Sequence, residues 1–463
     1  MRVRILLFLL VWLSCAWFGS WALNPNNSTR MFAAIGLVER GDAKIDEFKN
    51  LTIDKAEFDG HVYLDKAPGM TLLALPAMAV AEHVTARPPI PPTVWDRNFD
   101  HWMTVRLRLA VASVTALLTA LAAVALFDLA FGLTGSAGAA CFAAIAYALG
   151  TPIWGWSTTL FGHAPVADLF VIAVWALWRG GSGRPVTFAV VAGAALGLAV
   201  LIEFQAVLAG SVIALWGAFR LHRPAPLAAA ALAGAVTLLV PLVAYNMIAF
   251  GTLFRLGYQG VNDFPGMHEG LFGLTSPKFA VLTEIIIGLR RGLVWVAPIL
   301  ILAPFGLWQL AKRQRSLAIM LATAALVVLL VNAAYVYWDG GSSTGPRHAV
   351  PAIGLLAIGF APYWSSLVYW WERALAAAIL AVSVAINLAI AAAEIVASDD
   401  YSFPLWDPIL KTDWRTGTLR TLPSDFLGYP PLAGVIFYLC IAVPLAFLLW
   451  SSVRAQGNTA PAA

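Results

Sequence analysis

Asp54, Lys55, Glu57, Asp59, His61, Asp65 and Lys66 crowd into one short stretch of a chain in which only 12% of residues are charged. Ionisable groups held against a membrane bundle are expensive, so such a cluster marks a functional site. The competing reading is a solvated loop between spans, where charge has no cost. The run Tyr63-Leu64-Asp65-Lys66-Ala67-Pro68-Gly69 favours a site, because a Pro-Gly pair fixes the backbone beside the charged pair.

Three further constellations carry chemistry. His163 closes the segment Trp154 to Pro165 at a predicted span mouth. There it could bind a metal, act as a base or simply hydrogen-bond at the interface. Arg290 and Arg291 start a later span; paired guanidinium forks match phosphate oxygens, with plain interfacial anchoring as the alternative. The segment Tyr335 to His348 joins aromatic residues to Asp339-Gly340-Gly341-Ser342-Ser343-Thr344-Gly345-Pro346-Arg347-His348. Glycine-rich turns let backbone N–H groups approach an anion, Arg347 adds charge, and the rings offer faces to a sugar or a prenyl chain. Glu203 and Gln205 fall in a tight turn between two spans and read as structural.

The elements that must position these groups are membrane helices. The 463 residues are 60% apolar with a mean hydropathy of +0.78, whereas a soluble chain carries about 25% charge. The net charge is +4, but the basic residues sit in short connecting turns. That placement orients a membrane protein and argues against a nucleic-acid partner. Cys15, Cys141 and Cys440 lie in apolar runs without paired spacing, so no disulfide or zinc framework is expected.

Apolar runs predict spans near 5–23, 109–130, 137–151, 164–178, 186–202, 205–219, 226–249, 292–311, 316–334, 348–368, 374–396 and 432–452, about twelve in all. The expected fold is a single all-α membrane bundle over 1–463. Its first outer loop, 24–108, holds two interfacial helices, at Met31 to Arg40 and Met70 to Val84, and 455–463 is a disordered tail. If Met70 to Val84 does not cross, Arg179/Arg184, Arg220/Arg223, Lys312/Arg313/Arg315, Arg373 and Arg454 all face the cytoplasm with the N-terminus. The segments 24–108, 152–163, 250–291, 335–347 and 397–431 then share the outer face.

In this order the pieces resemble the polytopic glycosyltransferases of the GT-C type, the superfamily of protein O-mannosyltransferases and of the lipid A aminoarabinose transferase. Asp65-Lys66-Ala67-Pro68 resembles that group's acidic-Lys-Pro motif in the first outer loop. The Arg pair with Gly292-Leu293, and Trp338-Asp339-Gly340-Gly341 through Gly345-Pro346-Arg347-His348, are similar to the later half of bacterial members. The resemblance implies a bacterial inner-membrane enzyme that moves a sugar from a polyprenyl-phosphate donor to an envelope lipid or glycan on the periplasmic face. It also implies an early acidic residue serving the reaction. Asn27 stands where that Asp is expected, and His163 stands near where a second-loop Asp is common.

Asp54, Asp59 and Asp65 remain as carboxylates in the first loop. Lys66 would stabilise Asp65 as the anion and weaken it as a base, whereas Asp59 precedes Gly60 and has no cation adjacent in sequence. Asp59 is therefore the expected general base, with turn capping as its alternative role. Lys66, Arg347, His348, Arg290, Arg291 and Arg30 are the expected partners of the leaving phosphate, and His163 and Asn27 the acceptor or metal candidates. No cofactor is implied with certainty, although a divalent metal is compatible with the acids. A single displacement would invert the anomeric centre. The rival class is a transporter or a flippase for lipid-linked sugars, which predicts ionisable residues near the midplane and broken helices in paired halves. Asp128, Asp168 and Glu284 are the few acids in or near spans and sit towards their ends. A structural membrane protein would not need the first loop to meet the Gly-Pro-Arg-His turn.

Overall fold

The computed structural model describes residues 1–181 and 183–457. Helix α1 spans Arg2–Trp17 and α2 Pro25–Glu39. Asn24 caps α2 by accepting a hydrogen bond from Asn26 N, and Pro25 occupies the first turn, where a missing N–H is not needed. A hairpin follows, β1 Ala56–Phe58 against β2 His61–Tyr63. Asp59 and Gly60 turn it, both with positive φ, at 53° and 79°, as a tight two-residue hairpin turn requires. Then come α3 Gly69–Val84 and α4 Arg97–Thr134, a rod of 38 residues that continues through a π-turn at Val111–Thr115.

Gly135 ends α4 in the left-handed conformation, and Ser136 caps α5, Ala137–Leu149. The bundle continues with α6 His163–Gly180, α7 Pro185–Ile202, α8 Ala206–Leu221 and α9 Pro224–Phe250. It is completed by α10 Phe279–Ile287, α11 Pro298–Ala311 and α12 Arg315–Ala334. A broken helix α13 joins Arg347–Ala357 to Phe360–Ser366 at a 44° bend, followed by α14 Trp370–Ala392 and α15 Pro431–Gly457.

Every predicted span coincides with helix, but helix length and composition alone support fewer than the expected twelve full crossings. Among the described residues, six helices (α4, α7, α9, α12, α14 and α15) are long and apolar enough to cross a membrane, and α13 makes a seventh if its two parts form one span. The others, α1, α5, α6, α8 and α11, have 13 to 18 residues. Short helices are tolerated where neighbouring protein, and not lipid, surrounds their ends. At the other extreme, only 6% of the apolar window of α9 is buried, and Leu232 and Val240 are left exposed. The chain is an integral membrane protein.

Three local expectations change. Met31 to Arg40 is not a separate helix; Arg40 is the C-cap of a longer one. Its residues belong to α2, which is buried continuously from Asn26 to Gly36. The predicted span at 109–130 reaches back to Arg97, because Asp96 caps a start there by accepting from Phe99 N. The tail predicted at 455–463 continues as helix to Gly457, and its remainder lies outside the described residues.

At one end of the bundle the loops close on each other. The start of α3 abuts the end of α7, where a Cβ on Gly69 would lie 2.6 Å from the Leu201 carbonyl oxygen. That contact sets Asp65 and Lys66 next to the turn between α7 and α8. On the positive-inside expectation this end faces outside. In a background with Cys440 replaced by Ser, Glu57→Cys should react with a membrane-impermeant maleimide in intact cells, and Arg313→Cys only after permeabilisation. The reverse pattern would invert the topology.

Candidate active site

The closing loops surround a cavity of about 410 Å³. The first loop contributes Asn26, Arg30, Asp54, Asp65 and Lys66, and the later segments contribute His163, Glu203, Gln205, Arg347 and His348. Apolar walls come from Phe204, Val207 and Leu208 and from Leu256, Val261, Phe264, Met267, Leu271 and Phe272, with Tyr258, Tyr335 and Tyr337 between. The charged first loop and the Gly-Pro-Arg-His turn thus face one space, although more than 280 residues separate Asp65 from Arg347.

Lys66 is the centre of the acidic side. Its ammonium lies 3.0 Å from Asp54 Oδ2 and 2.8 Å from Asp65 Oδ2. Burial disfavours charge on Lys66, but the two carboxylates outweigh it and raise the lysine above its ordinary value. Burial also raises Asp65, against the pull of Lys66. Its second oxygen, Oδ1, is buried without a hydrogen-bond partner among the described residues. Arg30 is buried and spans two groups: Nη1 donates to the Asn26 carbonyl at 3.0 Å, and Nη2 meets Glu203 Oε1 at 3.3 Å.

Arg347 is different. Among the described residues it has no ion pair and no side-chain hydrogen bond; its guanidinium lies 5.3 Å from the Phe161 ring centre. Beside it, both ring nitrogens of His348 and Nδ1 of His163 are buried and unpartnered. The two imidazoles meet edge to face at 5.1 Å, and Tyr335 approaches His348 at 5.2 Å. A cation left unpaired on a cavity wall is a ready site for an anion.

Four expected site residues lie elsewhere. Asp59 sits in the hairpin turn with an 84% exposed side chain and pairs with Arg255 at 3.2 Å; the left-handed turn aims it at solvent. Asn27 is buried but structural: Nδ2 donates to the Trp21 carbonyl and Oδ1 accepts from Leu160 N, tying the first two outer segments together. Arg291 donates to the carbonyls of Asp339 (2.7 Å), Gly341 (2.5 Å) and Ser343 (2.7 Å). It clips the glycine-rich loop from behind. Arg290 pairs with Asp339 at 2.9 Å and donates to the Asp399 carbonyl. The glycines at 340, 341 and 345 all have positive φ, as this folded-back loop, whose carbonyls at 339, 341 and 343 accept from Arg291, requires.

No three His, Cys, Asp or Glu side chains converge on a common point among the described residues. Asp54 and Asp65 converge on the Lys66 ammonium, so the acids considered for a divalent metal already share a cation. Glu203, read from sequence as structural, is the residue most clearly missed. A lone acid between two apolar runs was the available signal.

No protein-family model and no curated protein matches the chain. Solved structures do. ArnT from Cupriavidus metallidurans bound to undecaprenyl phosphate aligns with a TM-score of 0.56 at 18% identity, covering 97% of this chain and 73% of that one. Its apo state gives 0.53 at 18% identity, covering 97% and 72%. The chain therefore shares its overall fold with these ArnT structures.

The two kinds of arginine separate in stability measurements. Arg291→Ala strands three loop carbonyls, of which that of Ser343 is buried, at about 1–3 kcal/mol for a buried group left unsatisfied, and should lower the melting temperature in detergent clearly. Arg347→Ala breaks no ion pair or hydrogen bond within the protein, only the ring contact with Phe161, and should melt close to the wild type. Equal losses for both variants would show that Arg347 is a structural residue.

Proposed function

We propose that the chain is a glycosyltransferase that takes a sugar from a polyprenyl-phosphate donor and delivers it, with inversion, to an envelope lipid or glycan on the periplasmic side of a bacterial inner membrane. The observation that carries this reading is the unpaired Arg347 facing the paired Lys66 across an apolar-walled cavity. A prenyl phosphate needs that combination of cations for the head and hydrocarbon for the chain. The cavity volume falls in the range of small-molecule sites, about 300–1,000 Å³. The fold neighbour was crystallised with undecaprenyl phosphate, which supports the same class of donor here.

The chemistry follows from charge. An acceptor oxygen attacks the anomeric carbon while the bond to the phosphate oxygen breaks, and the electron pair leaves on the polyprenyl phosphate. Fixed cations aimed at that oxygen lower the barrier because they need no reorganisation as charge develops. Lys66 and Arg347 fill that role, with Arg30 behind them. Asp54 and Asp65 keep Lys66 charged and pointed into the cavity. His348 and His163 line the wall beside Arg347 and can hydrogen-bond the sugar. No step requires a metal.

The test is mass spectrometry of envelope lipids and glycans from a deletion strain complemented with wild type or Arg347→Ala. A glycosylated species should vanish on deletion and return with the wild type. A charged contact to phosphate is worth about 1.5–3 kcal/mol, so the variant should restore roughly a tenth of it or less. Full restoration by Arg347→Ala would remove that residue from the donor site, and an unchanged envelope in the deletion strain would contradict the transferase reading.

A further inference from the structure

We infer that Glu203, in the turn between α7 and α8, is the general base that accepts the proton of the acceptor hydroxyl. The inference rests on the transferase reading of the same cavity. Three carboxylates line that cavity: Asp54, Asp65 and Glu203. Two of them are committed, since Asp54 and Asp65 each place an oxygen on the Lys66 ammonium. A proton arriving on either would weaken the pairing that holds the phosphate-facing cation in place. Asp65 is further excluded because its other oxygen is sealed from solvent.

Glu203 is held by one oxygen only. Oε1 meets Arg30 at 3.3 Å, and Oε2 has no hydrogen-bond partner among the described residues. The residue faces the main cavity and also a small apolar crevice behind it, together with His163, Gln205 and His348. The backbone leaves it room, since a Cβ on Gly162 would collide with Glu203 Oε1. The charged groups around it are Arg30, Lys66, Arg347 and Asp65. Burial raises its carboxyl, and the three cations pull the other way. A raised carboxyl is a better base near neutral pH than an ordinary one.

The step balances. The acceptor O–H proton passes to Glu203 Oε2 as the oxygen bonds the anomeric carbon, and the phosphate departs with the bonding pair onto Lys66 and Arg347. The proton then leaves Glu203 to water entering with the next acceptor.

The experiment adds purified wild type, Glu203→Gln or Glu203→Asp to membranes of the deletion strain, which hold donor and acceptor. Label transfer is followed across pH, with undecaprenyl phosphate binding and melting temperature measured in parallel. Glu203→Gln, which keeps an oxygen for Arg30 but loses the ion pair, should melt somewhat lower and bind the lipid phosphate as the wild type does, yet transfer roughly a hundredfold more slowly or worse. Its residual rate should lack the wild type's decline at acid pH, and Glu203→Asp should recover part of the activity. Transfer by Glu203→Gln within about tenfold of the wild type, or a loss of transfer that tracks lost lipid binding, would overturn the assignment alone. A wild type that neither binds undecaprenyl phosphate nor transfers label would overturn the transferase reading, and this inference with it.

Discussion

A buried ammonium is unstable unless it is paired, and Lys66 is paired twice. Taking one charge out of water carries a penalty of several kcal/mol, recovered only with close, well-placed partners. Asp54 and Asp65 supply them from either side of the hairpin, so the first loop must fold back on itself before the cation can be held. The abutment of Gly69 on the end of α7 then fixes this triad against Glu203 and Arg30. The remaining walls of the cavity are apolar and are built around that charged corner.

The opposite wall uses its cations in two ways. Arg291 spends its guanidinium on three backbone carbonyls of the glycine-rich loop, and Arg290 neutralises Asp339. Those contacts hold the loop shut from behind. Arg347, at the end of the same loop, is thereby presented with no partner of its own. A rigid support carrying a free cation is the arrangement that electrostatic catalysis needs, because the dipoles and charges are in place before the phosphate arrives. Elsewhere the buried charged side chains have close hydrogen-bond partners, as Arg108 does with Asp425 at 2.5 Å between separate elements and Asp168 does with the Tyr147 hydroxyl at 2.6 Å. The unpaired state of Arg347 is therefore a local exception.

Much of the frame was legible in the sequence. Apolar runs bounded by charge, Gly and Pro coincide with helices throughout, and the alternation of basic turns grouped the loops that meet at the cavity. Asp65, Lys66, Arg347 and His348 were recognisable because Pro and Gly flank them in runs with few other conformations. The failures have physical causes. Asp59 was chosen for lacking a cation nearby in sequence, but its partner Arg255 comes from a segment far along the chain, and the sign of φ in the turn decided its direction. The Arg290-Arg291 doublet carries no mark separating a phosphate ligand from a loop clip, because the carbonyls that occupy Arg291 belong to residues 339 to 343. Glu203 has no motif at all; only the meeting of α7 with α3 and α2 places it. Hydropathy placed the apolar helices but does not register which of the short ones are sheltered by protein at their ends.

The central claim is that Lys66 and Arg347 together receive the phosphate of a prenyl-phosphate donor. The most direct measurement is an experimental structure of the protein in lipid nanodiscs with added undecaprenyl phosphate. The account predicts phosphate density within hydrogen-bonding distance of both Lys66 Nζ and the Arg347 guanidinium, with the prenyl chain along the wall formed by Phe204, Val207 and Leu208. Phosphate bound instead at Arg290 or Arg255, with Arg347 still unpaired, would contradict it.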